Sequence, residues 1–225
     1  DSILLGCNNF TFMTEFNTEI VVSTLRRVLK ILEENKINYR FLGSVVVAGI
    51  NGKLHRNLGD LDLLVDFQGK DVLYSGLKKL GYYPAKGMFT FARKYLCLET
   101  LDHPHLLEVG YFYGKWESDG SFVMGGRRIN LTVEANALEK TNYTLEGITY
   151  VSIPERASAA GVMSSKNNPK RKRELLLLVE KGIKPYPNNY LHIQFYGLKA
   201  DWLYHFAMTI FNLLGEIRVR FGMAF

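Results

Sequence analysis

The residues with the clearest capacity for chemistry lie in Leu58-Gly59-Asp60-Leu61-Asp62-Leu63-Leu64-Val65-Asp66. Asp60 and Asp62 alternate with Leu61, Leu63 and Val65, the period-two pattern of a strand with one buried face. Residues two apart on a strand point to the same side, so both carboxylates leave one face together. Two carboxylates this close repel unless a cation sits between them. A divalent magnesium ion (or manganese), which takes oxygen ligands and shares them with phosphates, is the natural partner. The plainer alternative is an edge strand whose solvent face carries two acids.

Two further stretches bear on the choice. Tyr39-Arg40-Phe41-Leu42 reads as a short strand, and Gly43-Ser44 follows it directly, ahead of Val45-Val46-Val47-Ala48-Gly49-Ile50. A Gly-Ser step between a strand and a helix lets the backbone approach a ligand. It also leaves N–H groups and a hydroxyl for phosphate at the helix N-terminus. Val45 to Val47 are β-branched, which weakens the helical reading, and a plain turn is the alternative. Downstream, His105-Leu106-Leu107-Glu108-Val109-Gly110-Tyr111-Phe112 is strand-like, with Glu108 its only acid. A lone acid in an apolar strand is costly unless it is paired or holds a metal. Arg40 and Arg93 are the candidate ion-pair partners.

Gly43-Ser44, then Asp60-Leu61-Asp62, then Glu108 on a later strand resembles the DNA polymerase β-like nucleotidyltransferase superfamily. Its pattern is a hydrophobic residue, Gly-Gly or Gly-Ser, a spacer, Asp-hydrophobic-Asp/Glu, and a third carboxylate downstream. The resemblance covers roughly residues 20 to 183. The spacer of 15 residues between Ser44 and Asp60 exceeds the common form, so the loop at Asn51-Gly52-Lys53 is read as an insertion. His55-Arg56-Asn57-Leu58-Gly59-Asp60 is similar to the Arg-x-Thr-x-Asp lead-in of bacterial members, with Leu58 where Thr often stands.

A basic run, Ser164-Ser165-Lys166-Asn167-Asn168-Pro169-Lys170-Arg171-Lys172-Arg173-Glu174, falls at or near a helix start. Cations there are unfavourable unless an anion is present, and a solvated basic face is the alternative. The run resembles that of bacterial abortive-infection and antitoxin-linked nucleotidyltransferases, in which a Lys-bearing helix precedes Arg-x-Lys-Asp/Glu-Leu. That likeness implies that Lys166, Arg171 and Lys172 contact nucleotide phosphates. Arg173-Glu174 departs from the pattern, because an Asp often follows the Lys.

These residues need a scaffold. Val21, Leu25, Val28, Leu29 and Leu32 recur at helical spacing over Thr14 to Lys36, with Asn17 or Thr18 as cap and Arg26, Arg27 and Lys30 on the solvated side. A second helix is expected over Gly69 to Leu80, with Val72, Leu73, Leu77 and Leu80 inward and Gly81 as its stop. Strands are expected at Tyr82 to Pro84, Met88 to Leu98, Pro104 to Phe112, Arg127 to Val133 and Tyr143 to Val151, with a loop or hairpin over Tyr113 to Gly126. Pro154 opens a helix, residues 183–197 read as a linker or loop, and Leu198 to Phe221 reads as an apolar helix. The order implies an α+β fold: a nucleotidyltransferase-type mixed β-sheet flanked by helices, with a C-terminal helical part. The expected division is a catalytic domain over 1–153 and a helical region over 154–225.

Composition sets bounds only. The 225 residues are 47% hydrophobic and 22% charged, with a net charge of +6 that suits an anionic partner. Only Cys7 and Cys97 are present, so a disulfide framework is excluded and a reducing, cytoplasmic setting is expected. No signal peptide is read at the start, and charges in the apolar C-terminal stretch argue against a membrane span. His103 and His105 resemble a metal pair only superficially, with no further ligand at zinc spacing.

The resemblance implies transfer of an NMP from an NTP to a hydroxyl, with pyrophosphate release. Asp60, Asp62 and Glu108 would hold the metal, with Glu108 also at the acceptor, and Gly43 and Ser44 would take the β- and γ-phosphates. A protein hydroxyl, a tRNA 3′ end and a small molecule all suit as acceptor. Two rivals stand beside this. One is a catalytically inactive nucleotide- or RNA-binding module. The other is an interaction protein using the C-terminal helix, which is also where a homodimer would form.

Overall fold

The computed structural model describes residues 16–85, 97–125, 129–164, 169–186 and 190–202. Helix α1 spans Thr18–Glu34 and buries Val21, Leu25, Val28, Leu29 and Leu32, the expected stripe. Asn17 stands at its N-cap position, as predicted, but its side chain makes no capping bond and reaches elsewhere. The Asn17 Nδ2 donates to the Leu58 carbonyl at 2.7 Å, and its Oδ1 accepts from the Leu58 N–H at 3.1 Å. This mimics one step of a strand ladder and fixes the loop that delivers Asp60.

Strand β1 (Tyr39–Leu42) leads through Gly43 into helix α2 (Ser44–Asn51), and β2 (Asp60–Asp66) follows. The three valines do form helix, since Val45 to Ala48 are all buried and packing outweighs their weak propensity. A 3₁₀ turn, capped by Asp66, leads to α3 (Lys70–Lys79). In α3, Leu73 and Leu77 are buried, whereas Val72, expected inward, is exposed.

Strands β3 (Tyr83–Pro84), β4 (Leu98–Asp102), β5 (Glu108–Trp116), β6 (Phe122–Gly125) and β7 (Ile129–Val133) come next. Strand β5 therefore runs past the predicted end at Phe112, and residues 113–125 close a hairpin. The single strand expected over Tyr143 to Val151 is two, β8 (Thr141–Leu145) and β9 (Ile148–Ser152). Glu146 and Gly147 between them have φ of 49° and 74°, the two-residue turn that suits a tight hairpin.

Helices α4 (Glu155–Ser164) and α5 (Pro169–Glu180) pack on each other and on α2. Residues 183–197 are not simply a linker: Leu191–Phe195 forms β10, which pairs with β7, and Leu198–Lys199 forms β11. The predicted helix therefore cannot begin at Leu198. The rest of that helix and the dimer contact expected of it lie outside the described residues, as do Arg93 and most of the strand predicted over Met88 to Leu98.

Among the described residues, eleven strands form one mixed sheet in the order β11-β10-β7-β6-β5-β2-β1-β9-β8, with β4 also paired to β5 and β3 paired to β4. The β2–β5 and β1–β9 pairs are parallel and the others antiparallel. This is the α+β arrangement with a mixed sheet flanked by helices that the sequence predicts. Leu61, Leu63, Val65, Leu101, Val109 and Tyr111 alternate along β2, β4 and β5 and are all fully buried. The residues between them carry the candidate chemistry on the other side. Among the described residues, no helix is long and apolar enough to cross a membrane.

Candidate active site

Strands β2 and β5 set Asp60 opposite Glu108 and Asp62 opposite Gly110. Registered residues of neighbouring strands share a face, so the three predicted acids stand together although 48 positions separate Asp60 from Glu108. Strand β4 runs antiparallel on the far side of β5, with Leu101 opposite Val109. The next position in that register sets Asp102 beside Glu108, close enough for one carboxyl, when protonated, to donate to the other. Asp60, Glu108 and Asp102 thus form a row across three strands. Asp102 escaped the sequence reading because only the pairing register reveals it.

Asp62 sits in a cradle built of glycine. Gly43 has φ 68° and ψ −145°, a conformation that side chains rarely adopt, and it turns the chain from β1 into α2. A Cβ at Gly43 would lie 3.0 Å from Asp62 Oδ2, and one at Gly110 would lie 3.1 Å from Oδ1. Each carboxylate oxygen therefore faces a position where only glycine leaves it room. The first turn of α2 is held by Tyr150, whose hydroxyl donates to the Val45 carbonyl at 2.7 Å.

Burial pushes the Asp62 carboxyl up to about 7, the Asp60 charge adds to this, and Arg171 opposes it. Burial likewise raises Glu108 to about 7, reinforced by the hydrogen bond and charge of Asp102 and by the charges of Asp60 and Asp62. A divalent cation relieves that kind of mutual repulsion. Among the described residues, no three acid, histidine or cysteine side chains converge as a ready-made metal centre. The donor set instead fits a hard ion held by two carboxylates and completed by phosphate oxygens. The ion pair of Glu108 with Arg40 is not formed. Arg40 donates instead to the Leu138 and Tyr39 carbonyls and lies over the Trp116 ring.

A second cluster adjoins Ser44, the first residue of α2. Glu174 of α5, fully buried, receives Arg56 Nη2 at 2.8 Å and Nε at 3.1 Å on Oε1, and Arg171 Nη1 at 2.7 Å on Oε2. His55 Nε2 lies 3.4 Å from Oε1. The Ser44 hydroxyl accepts from Arg171 Nη1 at 3.1 Å and from Arg56 Nη2. Burial alone would raise Glu174. The His55 hydrogen bond, the Arg171 charge and the bonds from Ser44 and Arg171 outweigh it and hold the carboxyl well below its usual range. Of the predicted phosphate contacts, Gly43, Ser44 and Arg171 come together. Lys172 is exposed and bonds to neither Ser44 nor Glu174, and Lys166 lies outside the described residues. Arg56 and Glu174 stand within the sequence motifs, which assign them no role.

No protein-family model matches the chain, and no curated protein matches it. Solved structures do. The lincomycin-bound lincosamide antibiotic adenylyltransferase LnuA superposes with a TM-score of 0.58 at 19% identity, over 71% of this chain and 97% of that one. The chain has the nucleotidyltransferase fold. ANT(2″)-Ia in complex with adenylyl-2″-tobramycin gives a TM-score of 0.53 at 13% identity, over 71% of this chain and 88% of that one. At these identities it is the fold that is shared. Within the nucleotidyltransferase fold of this chain, the β2–β5–β4 row and the α2 N-terminus lie on either side of Asp62.

Proposed function

We propose that this chain is a metal-dependent nucleotidyltransferase that moves an NMP from an NTP to a hydroxyl acceptor. The observation that carries the reading is the register that sets Asp60 opposite Glu108 with Asp62 two residues on, beside a glycine-built turn into a helix whose first residue is met by two arginines. Asp60 and Asp62 would hold a divalent cation, which supplies charge neutralisation at the triphosphate and the departing pyrophosphate.

The protein's own groups do the rest. The N–H groups at the start of α2, the Ser44 hydroxyl and Arg171 bind the β- and γ-phosphates, and thereby aim the α-phosphorus at the acid row. Glu108, the middle member of that row, accepts the proton of the acceptor hydroxyl. The acceptor oxygen forms its bond to the α-phosphorus as the bond to the bridging oxygen breaks, and pyrophosphate leaves. The row is made of carboxyl groups, so it is suited to binding the acceptor through hydroxyl or amino groups. A small-molecule acceptor and an adenylyl donor are the combination carried by the two structural relatives above. A protein hydroxyl or an RNA 3′ end would use the same acids.

Calorimetric titration of the full chain with ATP and magnesium tests the reading. The wild type should bind, and Asp60→Ala/Asp62→Ala, shown by circular dichroism to be folded, should not bind in a magnesium-dependent way. Equal binding with and without magnesium would favour a non-catalytic nucleotide-binding module.

A further inference from the structure

Resting on that reading, we propose that Glu174 is a positioning residue for the polyphosphate: from inside the protein it holds Arg56 and Arg171 ready at Ser44. Each of its two oxygens holds one guanidinium, Oε1 that of Arg56 and Oε2 that of Arg171. Exposure rises outward, from 0% for the Glu174 side chain to 17% for Arg56 and 26% for Arg171. The carboxylate is thus shielded, while the cations reach the surface at the start of α2. Both also donate to the Ser44 hydroxyl, so guanidiniums 12 and 127 residues away in the chain are gathered at one point.

Stability alone is a weak reason for such a cluster. Replacing a buried ion network with packed apolar residues is often neutral or stabilising. What the network does supply is order. Arginine has many rotamers to lose on binding an anion, and a guanidinium already fixed has lost them beforehand. Contact with Glu174 and Ser44 uses one of the three Arg171 nitrogens, Nη1, and a guanidinium carries five N–H donors. Arg171 therefore faces an anion with its charge and part of its fork at hand, while Arg56, whose three nitrogens all have partners, contributes its fixed charge. Arg171 also acts on the Asp62 carboxyl, which joins the clamp to the acid row.

The test is calorimetry on the full chain with inorganic pyrophosphate and, separately, with ATP and magnesium. It compares wild type, Glu174→Gln, Arg56→Ala/Arg171→Ala and the triple variant. Losing the pre-ordering of two side chains should weaken pyrophosphate binding about tenfold in Glu174→Gln. Because Glu174 acts through the arginines, it should cause no further loss in the background that lacks them. Unchanged pyrophosphate affinity in Glu174→Gln would overturn the proposal, as would an equal tenfold loss in both backgrounds. Should Glu174→Gln fail to fold, Glu174→Asp keeps the charge on a shorter arm that cannot reach both guanidiniums as before. It should bind several-fold more weakly, and wild-type affinity there would overturn the proposal. A wild-type chain that binds neither probe would overturn the phosphate site itself. That result is distinct from a wild type that binds and a Glu174 variant that binds equally well.

Discussion

Gly43→Ala perturbs the turn that joins the phosphate site to the acid row. At φ 68° and ψ −145° the backbone is in a region that costs a non-glycine residue about 1–3 kcal/mol. The added Cβ would stand 3.0 Å from Asp62 Oδ2, so the carboxylate must give by a few tenths of an ångström. The Asp62 carboxyl is desolvated by burial, so any shift moves it within packed surroundings and relative to Asp60 and Arg171. Gly52→Ala is the matched control. Its φ is 78° and ψ −2°, with nothing within 4 Å of a Cβ, so only the left-handed cost of about 1 kcal/mol applies. For a chain of this size each kcal/mol moves Tm by about 2–4 °C. Gly43→Ala should therefore lower Tm by about 2–12 °C, and by more than Gly52→Ala. It should also weaken magnesium-dependent ATP binding, which Gly52→Ala should leave alone. Thermal unfolding by circular dichroism and calorimetry with ATP read the two effects. Equal Tm losses in both variants, with ATP affinity intact in both, would refute the cradle argument.

Three further outcomes follow from the same geometry. Folding raises the Asp62 carboxyl from 3.8 to about 7, so the folded chain binds the extra proton. In EDTA, that contribution to stability is full below about pH 4 and is lost as pH rises through 7. Denaturant titrations of Asp62→Asn should show a flatter slope across that range, and an unchanged slope would contradict the assignment. Tyr150→Phe removes the bond to the Val45 carbonyl and should cost about 1 kcal/mol by denaturant midpoint, with weaker ATP binding, because α2 loses its tether. His192 joins β10 to Glu134 at 2.9 Å and to Asp201 at 3.2 Å, and the Glu134 bond, then the Asp201 bond, raise its pKa. The stability this gives β10 is full below the unfolded histidine value near 6.5 and is lost above the raised folded one. Amide exchange of Leu191–Phe195, corrected for intrinsic pH dependence, should speed up between pH 6 and pH 9 relative to β2.

The parts of the site that were legible in sequence were those written in local periodicity. Alternation of Asp60 and Asp62 with leucine gives their common face, and a strand followed by Gly43-Ser44 gives the phosphate turn. Glu108 stood out because a lone acid in an apolar run asks for a reason. Asp102 and Glu174 did not stand out, since their meaning comes from partners far along the chain: a strand register for one, and arginines 3 and 118 residues away for the other. The same holds for the fold. The α1 stripe follows its period, whereas β10 sits in a Pro- and Asn-rich neighbourhood and is a strand because β7 offers an edge to pair with. Asn17 looked like a cap and became a bridge to Leu58, a choice fixed by tertiary contact and invisible to local propensity.

The central claim is that these acids transfer a nucleotide. Incubating the full chain with magnesium and each α-³²P-labelled NTP, offered total protein, total RNA and a panel of hydroxyl-bearing small molecules, tests it most directly. Label should move to one acceptor class with the wild type and release unlabelled pyrophosphate, and no label should move with Asp60→Ala/Asp62→Ala. Transfer that persists in the folded double variant, or a wild type that neither transfers label nor binds any NTP, would contradict the account.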